Sequence, residues 1–129
     1  MSTLLFEEES FGIIGACIEI HKKLGGRFKK SVYQEIVQRE FEKRKIPFES
    51  NKPLQLYYDG VPLDTHCIAD FVCYDKIIIQ VKSVSAIKEE ETRQTVNFLK
   101  ATNFELGLLI NFGESSLKWK RLINTPVTI

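Results

Sequence analysis

The chain has 129 residues, 43% of them hydrophobic, enough for one compact domain and short for two ordinary ones, so residues 1–129 are read as a single domain. Its 18 Lys and Arg stand against 17 Asp and Glu, a formal charge of +1, so global charge makes no case for a nucleic-acid or membrane partner and only local clusters can. No segment has the apolar length of a membrane span, and the basic start and long apolar run of a secretory leader are not seen. A cytoplasmic, membrane-free location is expected. Cys17, Cys67 and Cys73 lack paired metal spacing and sit among apolar neighbours, which reads as reduced core thiols.

In chain order, "SFGIIGACIEIHKKLGG" carries Phe11, Ile14 and Ile18 with Ile13, Cys17, Ile20 and Leu24 at helical spacing, starts at Ser10 as a candidate N-cap, and stops at Gly25 and Gly26. "KKSVYQEIVQREFEKRK" repeats the pattern through Val32, Ile36, Val37 and Phe41 and ends before Pro47, which predicts a second helix. "PLQLYYDGVPL" reads as a strand entering an Asp59-Gly60 turn. The runs "HCIADFVC" and "IIIQVKSV" predict an antiparallel hairpin. "EEETRQTVNFLKATN" predicts a third helix, with Glu89, Glu90 and Glu91 at its positive end. "FELGLLINF" is a nearly continuous apolar strand and "LKWKRLIN" an edge strand. The predicted order is ααβββαββ.

The hairpin holds the chemistry. Side chains alternate along a strand, so Ile68, Asp70 and Val72 share a face, as do Ile78, Gln80 and Lys82. With Tyr74, Asp75 and Lys76 as the loop, Asp70 falls opposite Gln80 and diagonal to Lys82. Ala69, Phe71 and Cys73 with Ile77, Ile79 and Val81 form the other, apolar face and are expected in the core. A half-buried Asp and Lys on such strands must be paired, ligate a metal, or both. One reading is a structural Asp70 to Lys82 salt bridge. The other is a nuclease element, in which an Asp and a [D/E]-x-K triplet on adjacent strands hold a divalent cation beside a scissile phosphate.

These blocks, "IIGACIEIHKKLG", "SVYQE", "IADFV" with "IIIQVKSV", and "QTVNFLKATNFELGLLINF", occur along nearly the whole chain. Together they resemble the GxxExxY proteins of the PD-(D/E)XK nuclease-like superfamily. The resemblance implies an α/β, restriction-endonuclease-like core, with a central mixed sheet flanked by helices, and a nuclease-type site. The naming motif falls on "RFKKSVY", where Arg27 stands for the glycine, Lys30 for the glutamate, and Tyr33 is kept. The metal-binding and catalytic positions fall on Asp70, Gln80, Lys82 and Gln94, with an amide at Gln80 where the family has a second carboxylate. Phe98 stands where tyrosine is usual.

One sure carboxylate beside Lys82 and Lys30 implies a site for Mg²⁺ or Mn²⁺ that is weak or absent. Glu19 and Glu35 are candidate compensating acids, although a solvated helix-surface glutamate is the commoner role of each. His21 and His66 lack a second histidine at ligand spacing. Arg27, Lys29 and Lys30 form a basic group little diluted by acids, a candidate phosphate grip. Two functions stay open: a metal-dependent nuclease with an altered constellation, or a non-catalytic module binding nucleic acid or a protein on the same scaffold. The small-residue face of the first helix and the "FELGLLINF" strand leave room for a homodimer.

Overall fold

Each apolar pattern becomes an element in the computed structural model, which describes residues 5–124. Helices α1 (Glu7–Leu24) and α2 (Lys30–Arg44) lead into strands β1 (Phe48–Tyr58), β2 (Val61–Cys73) and β3 (Ile77–Lys82); α3 (Glu89–Thr102), β4 (Leu106–Asn111) and β5 (Lys118–Ile123) follow. The expected order ααβββαββ holds. The strands form one mixed sheet in the order β1-β2-β3-β4-β5. β3 and β4 run parallel and the other pairs antiparallel, so α3 is the crossover that two parallel strands require.

Helices cover both faces, which is why β3 and β4 are almost uninterrupted apolar runs. On one face Ile13, Cys17, Tyr33, Val37 and Phe41 pack against Phe71, Ile77, Ile79, Val81, Leu108 and Ile110. On the other, Leu99 of α3 meets Leu54, Val72 and Ile78. Asp59 and Gly60 both take positive φ, 50° and 75°, the conformation of a tight hairpin turn joining β1 to β2.

Three expectations are corrected. Ser10 is not the first cap: α1 begins a turn earlier, and Ser10 lies buried inside it with its hydroxyl donating to the Glu7 carbonyl at 3.1 Å. Phe11, expected on the packed face of α1, is 60% exposed. Ala69 packs with Leu54, Val72 and Ile78 on the α3 side rather than with Phe71. The alternation of β2 breaks at Asp70, and on β1 Asn51, between the paired Ser50 and Lys52, is left-handed with φ 49°. A single left-handed residue re-aims a strand much as a bulge does.

β2 is laddered to β3 only through Phe71, Val72 and Cys73. From Val61 to Ala69 its ladder partner is β1 alone, so the two strands leave the sheet as a two-stranded arm. Asp70 stands at the fork.

Candidate active-site crevice between the fork and helix α3

Where the β2 and β3 backbones part, side chains take over the ladder. The Asp70 N–H donates to Gln80 Oε1 at 3.0 Å, and the Val81 N–H donates to Asp70 Oδ2 at 2.7 Å. The expected apposition of Asp70 and Gln80 is therefore present. It stitches the fork, satisfying buried backbone donors that would otherwise cost about 1–3 kcal/mol each.

Two residues of one α2 face complete the shell of Asp70. Gln34 Nε2 donates to Oδ1 at 3.0 Å, and Lys30 Nζ lies 3.1 Å from Oδ2. The salt bridge read from the strands was Asp70 to Lys82; the partner is Lys30. Lys82 turns instead to Glu91 of α3, at 3.7 Å. Glu91 also accepts the Lys88 N–H at 3.0 Å, closing the first turn of its helix.

These groups line a pocket of about 490 Å³. Its floor is Asp70, Gln80, Lys82 and Lys30; one wall is α3, with Glu91, Gln94, Asn97, Phe98 and Ala101; the other is the arm, with Leu56, Cys67 and Ile68. Four residues named from the strands and α3, Asp70, Gln80, Lys82 and Gln94, thus share one crevice, together with Lys30. Two others lie elsewhere: Glu19 pairs with Lys23 and Glu35 with Arg39 on exposed helix surface, and neither lines the crevice.

Arg27 and Lys29 belong to a neighbouring depression of about 690 Å³, beside Ser83, Ser85, Glu114 and Ser115. Tyr33 is fully buried and structural. Its hydroxyl donates to the Gly25 carbonyl at 2.7 Å and accepts the Phe28 N–H at 3.2 Å, while its ring stacks on Phe112 at 4.5 Å. His21 is buried, with Nε2 2.9 Å from the Glu114 carbonyl. The α1–α2 linker is thereby fixed over the carboxyl ends of β3 and β4.

The sequence pattern does not single out Gln34 or Asn111, and it gives Glu91 only a helix-dipole role. Gln34 stands four residues after Lys30, so a helix face carrying one to the fork carries the other, and that spacing was a usable signal. Asn111 is fully buried: its Oδ1 accepts from the Val84 and Gly113 N–H groups, and its Nδ2 donates to the Val84 carbonyl and to Glu114 Oε2. That knot joins the loops leaving the two parallel strands.

As they stand, these side chains do not suit a divalent cation. Hard cations select several anionic oxygens. Here the floor offers one carboxylate, whose oxygens already receive an amide, a backbone N–H and an ammonium. The next carboxylate, Glu91, is held by Lys82. Among the described residues no three His, Cys, Asp or Glu side chains gather as a ligand set.

A mixed sheet flanked by helices, with an Asp-Gln-x-Lys element at a strand fork, defines a nuclease-fold protein. The family model of the PD-(D/E)XK nuclease superfamily matches residues 7–122, and the chain belongs to that superfamily. No curated protein matches the sequence. Among solved structures, the crystal structure of SSO0001 superposes with a TM-score of 0.55 over 95% of this chain at 13% identity, a likeness of fold alone. This chain spans 61% of that protein's length. No helix among the described residues is long and apolar enough to cross a membrane.

Proposed function

We propose that this is a GxxExxY-type member of the superfamily that binds the nucleic-acid backbone at its former catalytic centre without cutting it. The observation that carries the reading is the Lys30 ammonium 3.1 Å from the Asp70 carboxylate. An ammonium at that place holds a phosphate by direct charge, where a carboxylate would need a metal ion between. Lys82 on the same floor, 3.7 Å from Glu91, is a second ammonium within the crevice.

The test combines binding and cleavage. Fluorescein-labelled oligonucleotides are expected to bind equally with EDTA and with Mg²⁺ or Mn²⁺, and to stay intact. Cleavage by the native chain in Mg²⁺ or Mn²⁺, abolished by Asp70→Asn, would overturn the proposal. The other reading, metal-dependent phosphodiester hydrolysis by an altered site, would then stand, and it draws support from Asp70, Gln80, Lys82 and Gln94 lining one crevice. The double variant Lys30→Glu with Gln80→Glu restores three acids at the fork. Under the proposal, metal-dependent cleavage appears only in that variant.

A further inference from the structure

We infer that the crevice seats a single unpaired nucleic-acid strand, with a base between α3 and the arm, in preference to a duplex. This rests on the nucleic-acid reading above and adds the class of ligand.

The crevice has two chemically different halves. Around Asp70 it is charged and polar, with Lys30 paired to Asp70 and Lys82 to Glu91; toward the arm it is apolar. Phe98 and Ala101 share one face of α3 with Gln94, and across from them stand Leu56 and Ile68. Ile68 is 60% exposed although its neighbours Ala69 and Asp70 are buried. A duplex turns sugars and phosphates outward and has nothing to place between two apolar walls. An unstacked base has two π faces for them, and the Gln94 and Asn97 amides supply donors and acceptors for its edge. A volume of about 490 Å³ lies within the usual range for a small-ligand cleft, about 300–1,000 Å³.

The path does not stop there. A depression of about 560 Å³ shares Lys82, Glu91 and Gln94 with the crevice and adds Lys88 and Glu90. It meets the Arg27 and Lys29 depression at Val84 and Ser85. The three form a trough across the carboxyl ends of the parallel strands, the place where open α/β sheets take ligands. At its far end Phe28 is 46% exposed. Its backbone is tied at both ends, its N–H to the Tyr33 hydroxyl and its carbonyl to the Ser83 hydroxyl. Among the described residues Arg27, Lys29 and Lys88 make no ion pair. An aromatic at each end with cations between is the arrangement that follows a single strand.

Fluorescence polarisation with labelled oligo(dT) and a matched duplex, both in EDTA, tests this. Oligo(dT) should bind at least about tenfold tighter than the duplex. With three or four phosphates engaged, log K should fall against log salt with a slope of about −2 to −3. Phe98→Ala should weaken oligo(dT) binding about 5- to 100-fold, Ile68→Ala should weaken it by a smaller factor, and both should leave duplex binding unchanged. Ile68 is exposed, so its variant folds even if Phe98→Ala does not. Oligo(dT) should also slow alkylation of Cys67, which lines the same wall. Equal or tighter duplex binding, with both variants unaffected, would overturn the single-strand inference and leave the backbone-binding reading intact. Binding of neither probe would overturn both.

Discussion

Strand β2 is two structures in one. From Phe71 to Cys73 it is laddered on both edges and buried; from Val61 to Ile68 it is paired on one edge and largely exposed. The change occurs at Asp70, whose backbone and side chain replace the missing ladder with bonds to Gln80 and Val81. A carboxylate is thereby held in place by hydrogen bonds, and the arm beyond it is left free to form a wall. Under the proposed function, stability resides in one half of the strand and ligand binding in the other. Substitutions along β2 test that division.

The largest effect is expected at Phe71. Its ring packs edge-on against Phe41 and Phe48, with centroids 5.4 and 5.9 Å away, and truncation of such a core aromatic costs about 3–5 kcal/mol. Urea unfolding of Phe71→Ala checks this. A loss below about 1 kcal/mol would mean that the laddered half is not where stability resides.

Asp70→Ala comes next. It orphans the Val81 N–H and removes the partner of Lys30, for an expected loss of about 2–3 kcal/mol, the ion pair adding little because Lys30 is 44% exposed. Asp70→Asn keeps an oxygen for Val81 and should cost about 1 kcal/mol less. Equal losses in the two variants would show that charge, rather than the stitch to β3, holds the fork.

Tyr33→Phe probes the other end of the trough. It removes the hydroxyl that joins Gly25 to Phe28, with an expected cost of about 1–2 kcal/mol. Amide exchange should accelerate at Phe28 before it changes at the fork.

The order of elements was legible because helical and strand periods are local properties. The apposition of Asp70 and Gln80 was legible too, since a three-residue loop with strict alternation leaves one register. What sequence did not show was which helix end reaches the fork. Lys30 arrives there because the α1–α2 linker is pinned by Tyr33, His21 and the close packing of Gly26, where a Cβ would come within 2.8 Å of the Glu114 carbonyl. These are contacts between residues far apart in the chain. Strict alternation puts Ala69 on the wrong side for a related reason: Asn51 is a residue type that tolerates the left-handed conformation, but nothing local fixes that it adopts it here and re-aims the arm. Glu91 was assigned to the helix dipole, and that role is compatible with the one observed, because the first turn of α3 faces Lys82.

The smallest energetic effect gives the sharpest comparison, because two cysteines report on the two halves of β2. Cys67 lies in the arm, partly exposed on the crevice wall; Cys73 lies in the ladder, fully buried, its thiol pushed up to about 12 by loss of water. Burial raises the Cys17 thiol as well. The thiolate is the reacting form, so a group with so high a pKa is nearly inert at neutral pH. Iodoacetamide should therefore modify Cys67 in the native protein and all three thiols after denaturation, read by intact-mass spectrometry. Ile68→Ala should change stability by no more than about 0.5 kcal/mol and leave this pattern as it is. Were Cys73 modified nearly as fast as Cys67, the ladder would be opening together with the arm. The fork at Asp70 would then not separate a rigid half from a free one, and a wall able to receive a base would have to be sought on α3 alone.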